Sequence, residues 1–381
     1  MKAVFECPRC GNTNPIYIGY KDGKPYCRMC IGFKGAMVTP SPNVPKPVRL
    51  SLGYRLSKDQ KELSDKVMSN FDNGIDTLVY AVCGSGKTEI SYGVIAKAMS
   101  EGKKVGFALP RRDVVIELFF RLKDAFPDNK IVAVYGQHTS TLTGDCIVLT
   151  THQLYRYPNY FDLLVMDEID AFPFKGNEVL IRFYKKALKG HCVMMSATPS
   201  KTILKEFSAP GHDILKLRTR FHKKPIPVPV IKIRPLFLKN FAMVSDLKRF
   251  VASKKQVFVF VPTVELSKKT YEFLSRFVKK GEFVSSKKPN RDQVISDFKK
   301  GRYSYLVTTA VLERGVTVKD LQVIVYGADN SIYDSAALIQ IAGRVGRKKD
   351  APSGEVIFYA DRKTEEMEKT VREIEFCNRF L

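Results

Sequence analysis

The chain has 381 residues, of which 44% are apolar and 27% are charged, and it carries a formal net charge of +24. This composition excludes wholesale disorder, and no apolar run approaches the roughly 18 residues that cross a bilayer. Because the N-terminus also lacks a signal-peptide core, we expect a cytoplasmic protein, with peripheral attachment at the cytoplasmic face of the membrane left open. The positive charge favours a polyanionic partner, either nucleic acid or an anionic membrane surface.

The first predicted element is a small metal-binding module over residues 1–38. Its cysteines form C-P-R-C and C-R-M-C, separated by sixteen residues, and are Cys7, Cys10, Cys27 and Cys30. Four thiolates at this spacing suit tetrahedral Zn²⁺, and a module this small cannot fold on its apolar core alone. The intervening segment predicts a hairpin with Asp22 and Gly23 at its tip. Two disulfides are the alternative interpretation of the same cysteines.

A proline-rich stretch over 39–50 predicts a linker, after which apolar strand-like runs alternate with amphipathic helical stretches. That alternation predicts an α/β fold with two parallel-sheet domains in tandem, 51–215 and 241–381. The nine runs that we identify as strands are 77–82, 104–109, 146–151, 163–167, 191–197, 256–261, 304–309, 321–327 and 354–360.

Between the two domains, residues 216–240 form a predicted basic connector. Lys216 to Lys239 contains eight lysines or arginines and no acid. We expect four of these cations to line a nucleic-acid path: Arg218, Arg220, Lys223 and Lys224.

The segment "AVCGSGKT" predicts a phosphate-binding loop, because it follows a strand and precedes a helix. Its glycines allow backbone N–H groups to close around phosphates, Lys87 is expected to reach the β- and γ-phosphates of ATP, and Thr88 to ligate Mg²⁺. The expected nucleotide-binding residues of this loop are Ala81, Gly84, Ser85, Gly86, Lys87 and Thr88. Ala81 stands where the general pattern has glycine, and Cys83 is a potential oxidation site.

The run "LLVMDEID" places Asp167 and Glu168 at the end of an apolar strand. Asp167 is expected to hold Mg²⁺, and Glu168 to orient or deprotonate the attacking water. This acid pair predicts a hydrolase rather than a simple nucleotide binder.

In the second domain, "QIAGRVGR" contains Gln340, Arg344 and Arg347. Arginine binds phosphate oxygens through a bidentate fork, and we expect the two arginines, one helical turn apart, to point the same way towards the γ-phosphate of ATP. These three residues are therefore predicted to be catalytic. A basic helix that faces nucleic acid is the alternative.

From residue 52 onwards, these segments and several others resemble, in order, the motifs of superfamily 2 helicases and translocases, which implies RecA-like domains. The resemblance implies that Gln60 reads adenine and that Ser196 and Thr198, in "MSATPS", couple ATP hydrolysis to movement. The implied nucleic-acid contacts are Arg111, Arg112, Thr151, His152, Thr308 and Thr309. Ala310 and Thr317 depart from the aspartates of many DEAD-type relatives, which puts the contact with the ribose in doubt.

Within that superfamily, the chain most resembles the bacterial late-competence ComFA family. The shared stretches include the N-terminal cysteines, "PRRDVV", "TTHQL", "DAFP", "RTRFH" and "LERGVT". The resemblance implies single-stranded-DNA-stimulated ATP hydrolysis in DNA uptake, beside other competence proteins at the inner face of the membrane. The chain lacks room for a strand-separating domain, so we expect translocation rather than processive unwinding; homo-oligomerisation stays open. The alternatives are a primosomal-like DNA or RNA helicase and an ATP-switched nucleic-acid-binding adaptor.

Overall fold

Two parallel sheets organise the chain, and each belongs to its own unit. The first unit comprises Met1–Ala81 and Gly86–Leu217, and the second comprises Val82–Ser85 and Arg218–Leu381. The predicted α/β fold with two RecA-like domains is confirmed. The computed structural model describes residues 5–41, 44–82, 84–170, 173–285, 288–309, 318–348 and 350–380. Cys83, Ala310, the whole of "LERGVT" (312–317) and part of "DAFP" lie outside the described residues.

The first unit opens with the predicted hairpin, whose strands are β1 (Ile18–Lys21) and β2 (Lys24–Cys27). The strands pair antiparallel, with Lys21 opposite Lys24. Asp22 and Gly23 form the turn, and both have positive φ angles, 50° and 73°. This is the backbone twist that a two-residue hairpin turn requires, and it explains why Asp-Gly occupies the tip.

The sheet of the first unit has seven parallel strands in the order β5-β6-β4-β7-β8-β3-β9. Its inner strands read as continuous apolar runs because helices cover both faces. The strands are β3 (Asp76–Ala81), β4 (Val105–Leu109), β5 (Ile131–Val134), β6 (Cys146–Thr150), β7 (Phe161–Asp167), β8 (Leu188–Ser196) and β9 (His212–Leu217).

The helices of the first unit begin at recognisable caps. Ser57 and Gln60 form a capping box at the start of the first long helix, and Asn177 caps another by accepting from the N–H of Leu180. The helices are α1 (Lys58–Asp72), α2 (Lys87–Ile90), α3 (Tyr92–Ser100), α4 (Arg112–Ala125), α5 (Glu178–Ala187) and α6 (Lys201–Glu206). A 3₁₀ segment, Thr151–Arg156, follows β6.

The second unit repeats this design with six parallel strands in the order β10-β15-β14-β11-β13-β12. The strands are β10 (Val230–Ile233), β11 (Val257–Phe260), β12 (Gly281–Val284), β13 (Tyr305–Thr308), β14 (Gln322–Tyr326) and β15 (Val356–Ala360). The helices are α7 (Leu236–Ala252), α8 (Val264–Leu274), α9 (Arg291–Lys299), α10 (Ser335–Ala342) and α11 (Glu365–Asn378). Strand β10 and the start of α7 fall within the stretch that the sequence predicts as a connector.

Each sheet has an apolar core on both faces. In β4, Phe107 packs into one core and its neighbour Ala108 into the other, because successive side chains of a strand point to opposite faces. In β11, Phe258 and Val259 divide in the same way. This double coverage leaves the strand ends and the loops that follow them to carry functional groups. Among the described residues, no helix is long and apolar enough to cross a bilayer.

Candidate nucleotide site and metal-binding module

The predicted phosphate loop lies between β3 and α2. Gly84 and Gly86 adopt left-handed backbone conformations, with φ angles of 81° and 79°. A side chain would strain these positions, which explains why the sequence has glycine at both. Gly86 immediately precedes Lys87 and Thr88, the first two residues of α2. Backbone N–H groups at the start of a helix favour phosphate, so the local geometry suits a nucleotide.

Lys87 is close to the predicted acid pair. Its Nζ lies 3.8 Å from Oδ1 of Asp167, and both side chains are largely buried. Strand β7 ends at Asp167, and Glu168 follows it with a φ angle of 57° while donating its N–H to the Asp167 carboxylate at 2.7 Å. The strand end therefore holds the Asp167 carboxylate beside the loop lysine, and Glu168 follows directly in the chain.

The electrostatics of Asp167 suit a divalent cation. Burial raises the pKa of this carboxyl above its usual value; Lys87 opposes the shift, whereas the like charges of Glu168 and Asp170 add to it. Lys87 thus offsets only part of the effect of burial and neighbouring acids on the Asp167 carboxyl. Carboxylate and hydroxyl oxygens are ligands that Mg²⁺ accepts, so the chemistry of Asp167 and of Thr88, the residue after Lys87, fits the ion that ATP chemistry requires.

Gln60, the predicted adenine-reading residue, lies beside the phosphate loop. The side-chain Oε1 of Gln60 accepts from the backbone N–H of Ser57 at 2.9 Å. The backbone N–H of Gln60 donates to the Ser57 hydroxyl at 3.2 Å. A Cβ atom added at Gly86 would collide with the side-chain nitrogen of Gln60. The capping box thus holds the amide of Gln60 next to the loop, and glycine at position 86 gives it the space.

Of the predicted coupling residues, Thr198 contacts the acid cluster, and Ser196 contacts Thr198. Ser196 is the last residue of β8, and its Oγ accepts from the N–H of Thr198 at 2.9 Å. The Thr198 hydroxyl donates to Oδ2 of Asp170 at 2.5 Å. The hydrogen bond from Thr198 therefore joins this segment to the loop that follows Asp167 and Glu168.

The second unit places Gln340, Arg344 and Arg347 at the end of α10. Gln340 is buried within the helix, which ends at Ala342, so the expectation that both arginines lie one helical turn apart is wrong. They lie in the turn beyond the helix, where Gly346 has a φ angle of 69° and redirects the chain before Arg347. Arg344 is buried, at 1% exposure, and Arg347 is half-buried.

The candidate nucleic-acid contacts differ in accessibility. Arg112 is exposed, and its guanidinium lies 5.5 Å from the centre of the Tyr135 ring, whereas Arg111 is half-buried at the start of α4. The side chains of Thr151, Thr308 and Thr309 are buried. Of these candidates, the exposed Arg112 is therefore the side chain that the fold offers to a ligand in solution.

His152, the remaining candidate, packs against the N-terminal module. Its ring stacks on that of Phe33, with the ring centres 6.2 Å apart and the planes 25° apart. Burial lowers the pKa of His152, which favours the neutral imidazole. The histidine is thus occupied by an intramolecular contact.

The four N-terminal cysteines converge. Their sulfur atoms all lie within 4.8 Å of one another, and all four side chains are buried. The closest pairs are Cys7 with Cys30, at 3.5 Å, and Cys10 with Cys27, at 3.6 Å. Zn²⁺ bound tetrahedrally at about 2.3 Å from each sulfur would need the sulfurs roughly 3.8 Å apart. The cluster therefore fits a Cys₄ zinc centre.

One face of this module packs against the rest of the first unit, around Tyr155 and Phe183. Phe33 meets the ring of Phe183 edge-on at 4.8 Å and that of Tyr155 at 5.7 Å. The Tyr155 hydroxyl donates to the carbonyl of Lys34 at 2.6 Å, and the guanidinium of Arg156 donates to that of Ala36 at 3.0 Å. Our sequence analysis missed this contact, although the aromatic cluster "YRYPNYF" that supplies half of it is visible in the sequence.

Comparison with protein families supports a helicase-like enzyme. Residues 57–207 match the family described as DEAD/DEAH box helicase, and residues 240–349 match the helicase conserved C-terminal domain. Two such domains in this order define the ATP-hydrolysing core of a helicase. The two matches fall one in each unit of the fold.

The curated relatives include the competence protein ComFA of Bacillus subtilis (strain 168), which is 32% identical over 96% of this chain and 84% of that protein. The competence protein ComFA of Streptococcus pneumoniae (strain ATCC BAA-255 / R6) is 31% identical over 99% of this chain and 91% of that protein. Among solved structures, S. cerevisiae Dbp5 bound to RNA and ADP BeF3 matches with a TM-score of 0.62 at 14% identity, covering 86% of this chain and 92% of that one. At this identity the structural likeness concerns the fold alone.

Proposed function

Because the chain belongs to the ComFA family of competence proteins, we propose that it is a motor that couples ATP hydrolysis to movement along single-stranded DNA. Its two helicase domains make it a helicase-like ATPase. The observation that carries the proposal is the contact between Lys87 and Asp167, with Glu168 alongside. A nucleotide-binding protein without turnover has no use for a second carboxylate at this strand end.

In this proposal the first unit binds and activates ATP. Lys87 neutralises charge on the β- and γ-phosphates, and the N–H groups of the glycine loop hold the same oxygens. Thr88 and Asp167 hold Mg²⁺, which draws charge from the phosphate oxygens when it is bound. Glu168 orients the attacking water and accepts its proton, and Gln60 fixes the adenine.

Arg344 and Arg347 supply the second set of charges. Guanidinium groups stay protonated at any relevant pH and match the geometry of phosphate oxygens, so they suit charge that develops on the γ-phosphate during transfer. Gln340 precedes them on α10 and is proposed to orient the water or the arginines. Their turn lies directly beyond the end of α10, which is Ala342.

Single-stranded DNA is the proposed track. The net charge of +24 supports a polyanionic partner, and backbone contacts give weak sequence specificity. Exposed Arg112 is the proposed cation of the first unit, and its guanidinium lies over the ring of Tyr135. An RNA helicase is the second candidate, because the same backbone contacts would hold either strand.

The deciding experiment measures ATP turnover with a single-stranded DNA oligonucleotide, the same sequence as RNA, the DNA duplex and no nucleic acid. We expect the largest stimulation by single-stranded DNA. The apparent affinity for this DNA, taken from half-maximal stimulation, should fall with salt concentration with a log–log slope of about −0.7 per phosphate neutralised. Stronger stimulation by RNA would favour the RNA helicase. Negligible turnover under all four conditions would favour the ATP-switched adaptor.

We also propose that Cys7, Cys10, Cys27 and Cys30 bind one structural Zn²⁺. A metal assay of purified Cys27→Ser is expected to show loss of stoichiometric zinc and a lower unfolding temperature, since a module this small depends on its metal. Cys146→Ser is the matched control, because Cys146 is buried in β6 away from the cluster. Full zinc content in Cys27→Ser would contradict a four-ligand site.

Other competence proteins at the cytoplasmic face of the membrane are the proposed partners, on the strength of the family alone. Fractionation of competent cells that express the tagged chain would test this location. Recovery in the membrane fraction, reversed by high salt, would support a peripheral attachment, and uniform recovery in the soluble fraction would contradict it.

A further inference from the structure

Arg220 and His222 follow β9, the last strand of the first sheet. Both contact the turn that carries Arg344 and Arg347. Nη1 of Arg220 donates to the carbonyls of Val345 at 2.9 Å and Gly346 at 3.0 Å, and Nη2 donates to that of Gly343 at 3.2 Å. Nε2 of His222 lies 2.9 Å from the same Gly346 carbonyl. Four hydrogen bonds therefore converge on one turn.

The tautomer of His222 follows from its second contact. The N–H of Lys224 donates to Nδ1 at 3.1 Å, so Nδ1 is an acceptor and Nε2 carries the hydrogen. His222 is thus a donor towards Gly346, as Arg220 is.

Arg220 is well placed to act on this turn and poorly placed to touch a strand of DNA. Its side chain is 2% exposed, which contradicts the sequence-based expectation of a surface cation on the nucleic-acid path. The last carbonyls of a helix lack partners within the helix and carry partial negative charge, so a cation there is favourable. Hydrogen bonds from a charged donor are also roughly twice as strong as neutral ones. Arg220 therefore caps α10 and its following turn at the same time.

The contact extends directly to one of the proposed phosphate-binding arginines. Nε of Arg347 donates to the carbonyl of Gly343 at 3.0 Å, and this is the oxygen that also accepts from Arg220. On its other side, Gly346 is so close to the carbonyl of Pro352 that an added Cβ would clash. The turn is thus confined between Arg220 and the segment around Pro352, and Arg347 is attached to the confined backbone.

We infer that Arg220 and His222 are positioning residues that set the geometry of Arg344 and Arg347 for ATP hydrolysis. The inference rests on the proposed role of those two arginines. Neither positioning residue needs to touch the nucleotide. Misplacement of a reacting group by about 1 Å costs on the order of 100-fold in rate, so a relaxed turn would slow the chemical step while ATP binding by the first unit persists.

The first test separates turnover from binding. Arg220→Met is expected to lower the kcat for ATP by about 10- to 100-fold, with the affinity for a fluorescent ATP analogue unchanged. His222→Leu removes one donor and should have a smaller effect, which His222→Gln should partly rescue because the amide can donate to Gly346. Lys239→Met is the matched control: Lys239 is another buried cation of this unit, paired with Asp361 at 2.8 Å, and its loss should lower stability without lowering the kcat of the folded protein.

The second test asks whether Arg220 acts through the arginines. In a background of Arg344→Gln with Arg347→Gln, Arg220→Met should produce no further loss of kcat, because residues that act as a unit are not additive. A full additional loss there, or a normal kcat in Arg220→Met alone, would overturn the inference. The proposed function has a separate point of failure, since a kcat that survives the double glutamine variant would refute the role of the arginines themselves. Thermal unfolding of each variant identifies any that fail to fold, in which case Arg220→Lys replaces Arg220→Met.

Discussion

The two units share a scaffold but carry opposite charges at their candidate sites. In the first unit, the end of β7 and the loop after it gather Asp167, Glu168 and Asp170, and Lys87 lies beside Asp167. In the second, the turn after α10 gathers Arg344 and Arg347, and Arg220 lies against it. Parallel sheets covered by helices tolerate either set, because functional groups lie on loops beyond the strands. The fold alone therefore determines neither the acidic cluster of the first unit nor the arginine turn of the second. The proposed motor needs both.

The strongest test of the acidic side removes the proposed base. Glu168→Gln is expected to lower ATP turnover by about 10²- to 10⁴-fold, because the amide cannot accept the proton of the attacking water. Nucleotide binding should persist, since the substitution removes no group that we assign to the phosphates. Steady-state hydrolysis and ATP-analogue binding measure the two effects.

The control for this variant is Glu178→Gln, which neutralises an exposed acid on α5 that pairs with Arg182. It should hydrolyse ATP at the wild-type rate. If Glu168→Gln also kept the wild-type rate, Glu168 would have no catalytic role. The acidic cluster of the first unit would then not explain ATP hydrolysis as proposed.

Lys87→Ala tests the lysine beside Asp167. We expect turnover to fall by about 10²- to 10³-fold, as for other groups that stabilise charge on a transferring phosphoryl group, and ATP affinity to fall with it. This joint loss would distinguish Lys87 from the arginines of the second unit. Lys97→Ala, on the next helix, removes a lysine that pairs with Asp72 and Glu101 instead, and it should behave as wild type.

Thr198→Val removes the hydroxyl that donates to Asp170. If this bond transmits the state of the acid cluster, stimulation of ATP turnover by nucleic acid should fall by about 2- to 30-fold, the range of a coupling of 0.5–2 kcal/mol, while basal turnover persists. The ratio of stimulated to basal rate is the readout. Thr202→Val, at an exposed position of α6, is the matched control; an unchanged ratio in Thr198→Val would rule out a coupling role.

The smallest expected effect concerns stability. Since burial holds the pKa of Asp167 above its unfolded value, the ionised carboxylate destabilises the folded protein, and this cost grows as pH rises through the folded pKa. In metal-free buffer at pH 7, Asp167→Asn should therefore raise the unfolding temperature by roughly 2–4 °C per kcal/mol relieved, and lower turnover.

The pH dependence supplies the check on this prediction. The difference in unfolding temperature should shrink as pH falls towards 4, where the wild-type carboxyl is protonated too. A variant that is less stable at pH 7 would show that the ion pair with Lys87 outweighs the cost of burial.

The inner strands were predictable from sequence, and the edge strands were not. The nine apolar runs that we identified correspond to the nine inner strands, which are covered on both faces and so have continuous apolar sequences. Among the described residues, the other four strands of the two parallel sheets, β5, β9, β10 and β12, are their edges. Strand β12, for example, contains Gly281 and Glu282, and only Val284 in it is fully buried. Mixed, short segments of this kind carry little periodic signal.

The candidate site divides in the same way. Lys87, Thr88, Asp167 and Glu168 were predictable because their neighbours in sequence impose their geometry: a glycine loop before a helix, and acids after an apolar strand. The turn of Arg344 and Arg347 was not predictable, because the spacing suggests one continuous helix. Instead, α10 ends at Ala342 and Gly346 redirects the chain before Arg347. The positions of Arg220 and His152 depend on residues more than a hundred positions away, at Gly346 and Phe33 respectively, and no local pattern specifies such partners.

The most direct test of the central claim compares nucleotide binding with ATP turnover in Arg344→Gln and Arg347→Gln. If the arginines of the second unit act on the nucleotide that the first unit binds, each variant should retain ATP-analogue affinity. Its turnover in the presence of single-stranded DNA should fall by up to about 10³- to 10⁵-fold, the contribution of an arginine finger. Wild-type turnover in both variants would contradict the account, because the acids and lysine of the first unit would then be sufficient on their own.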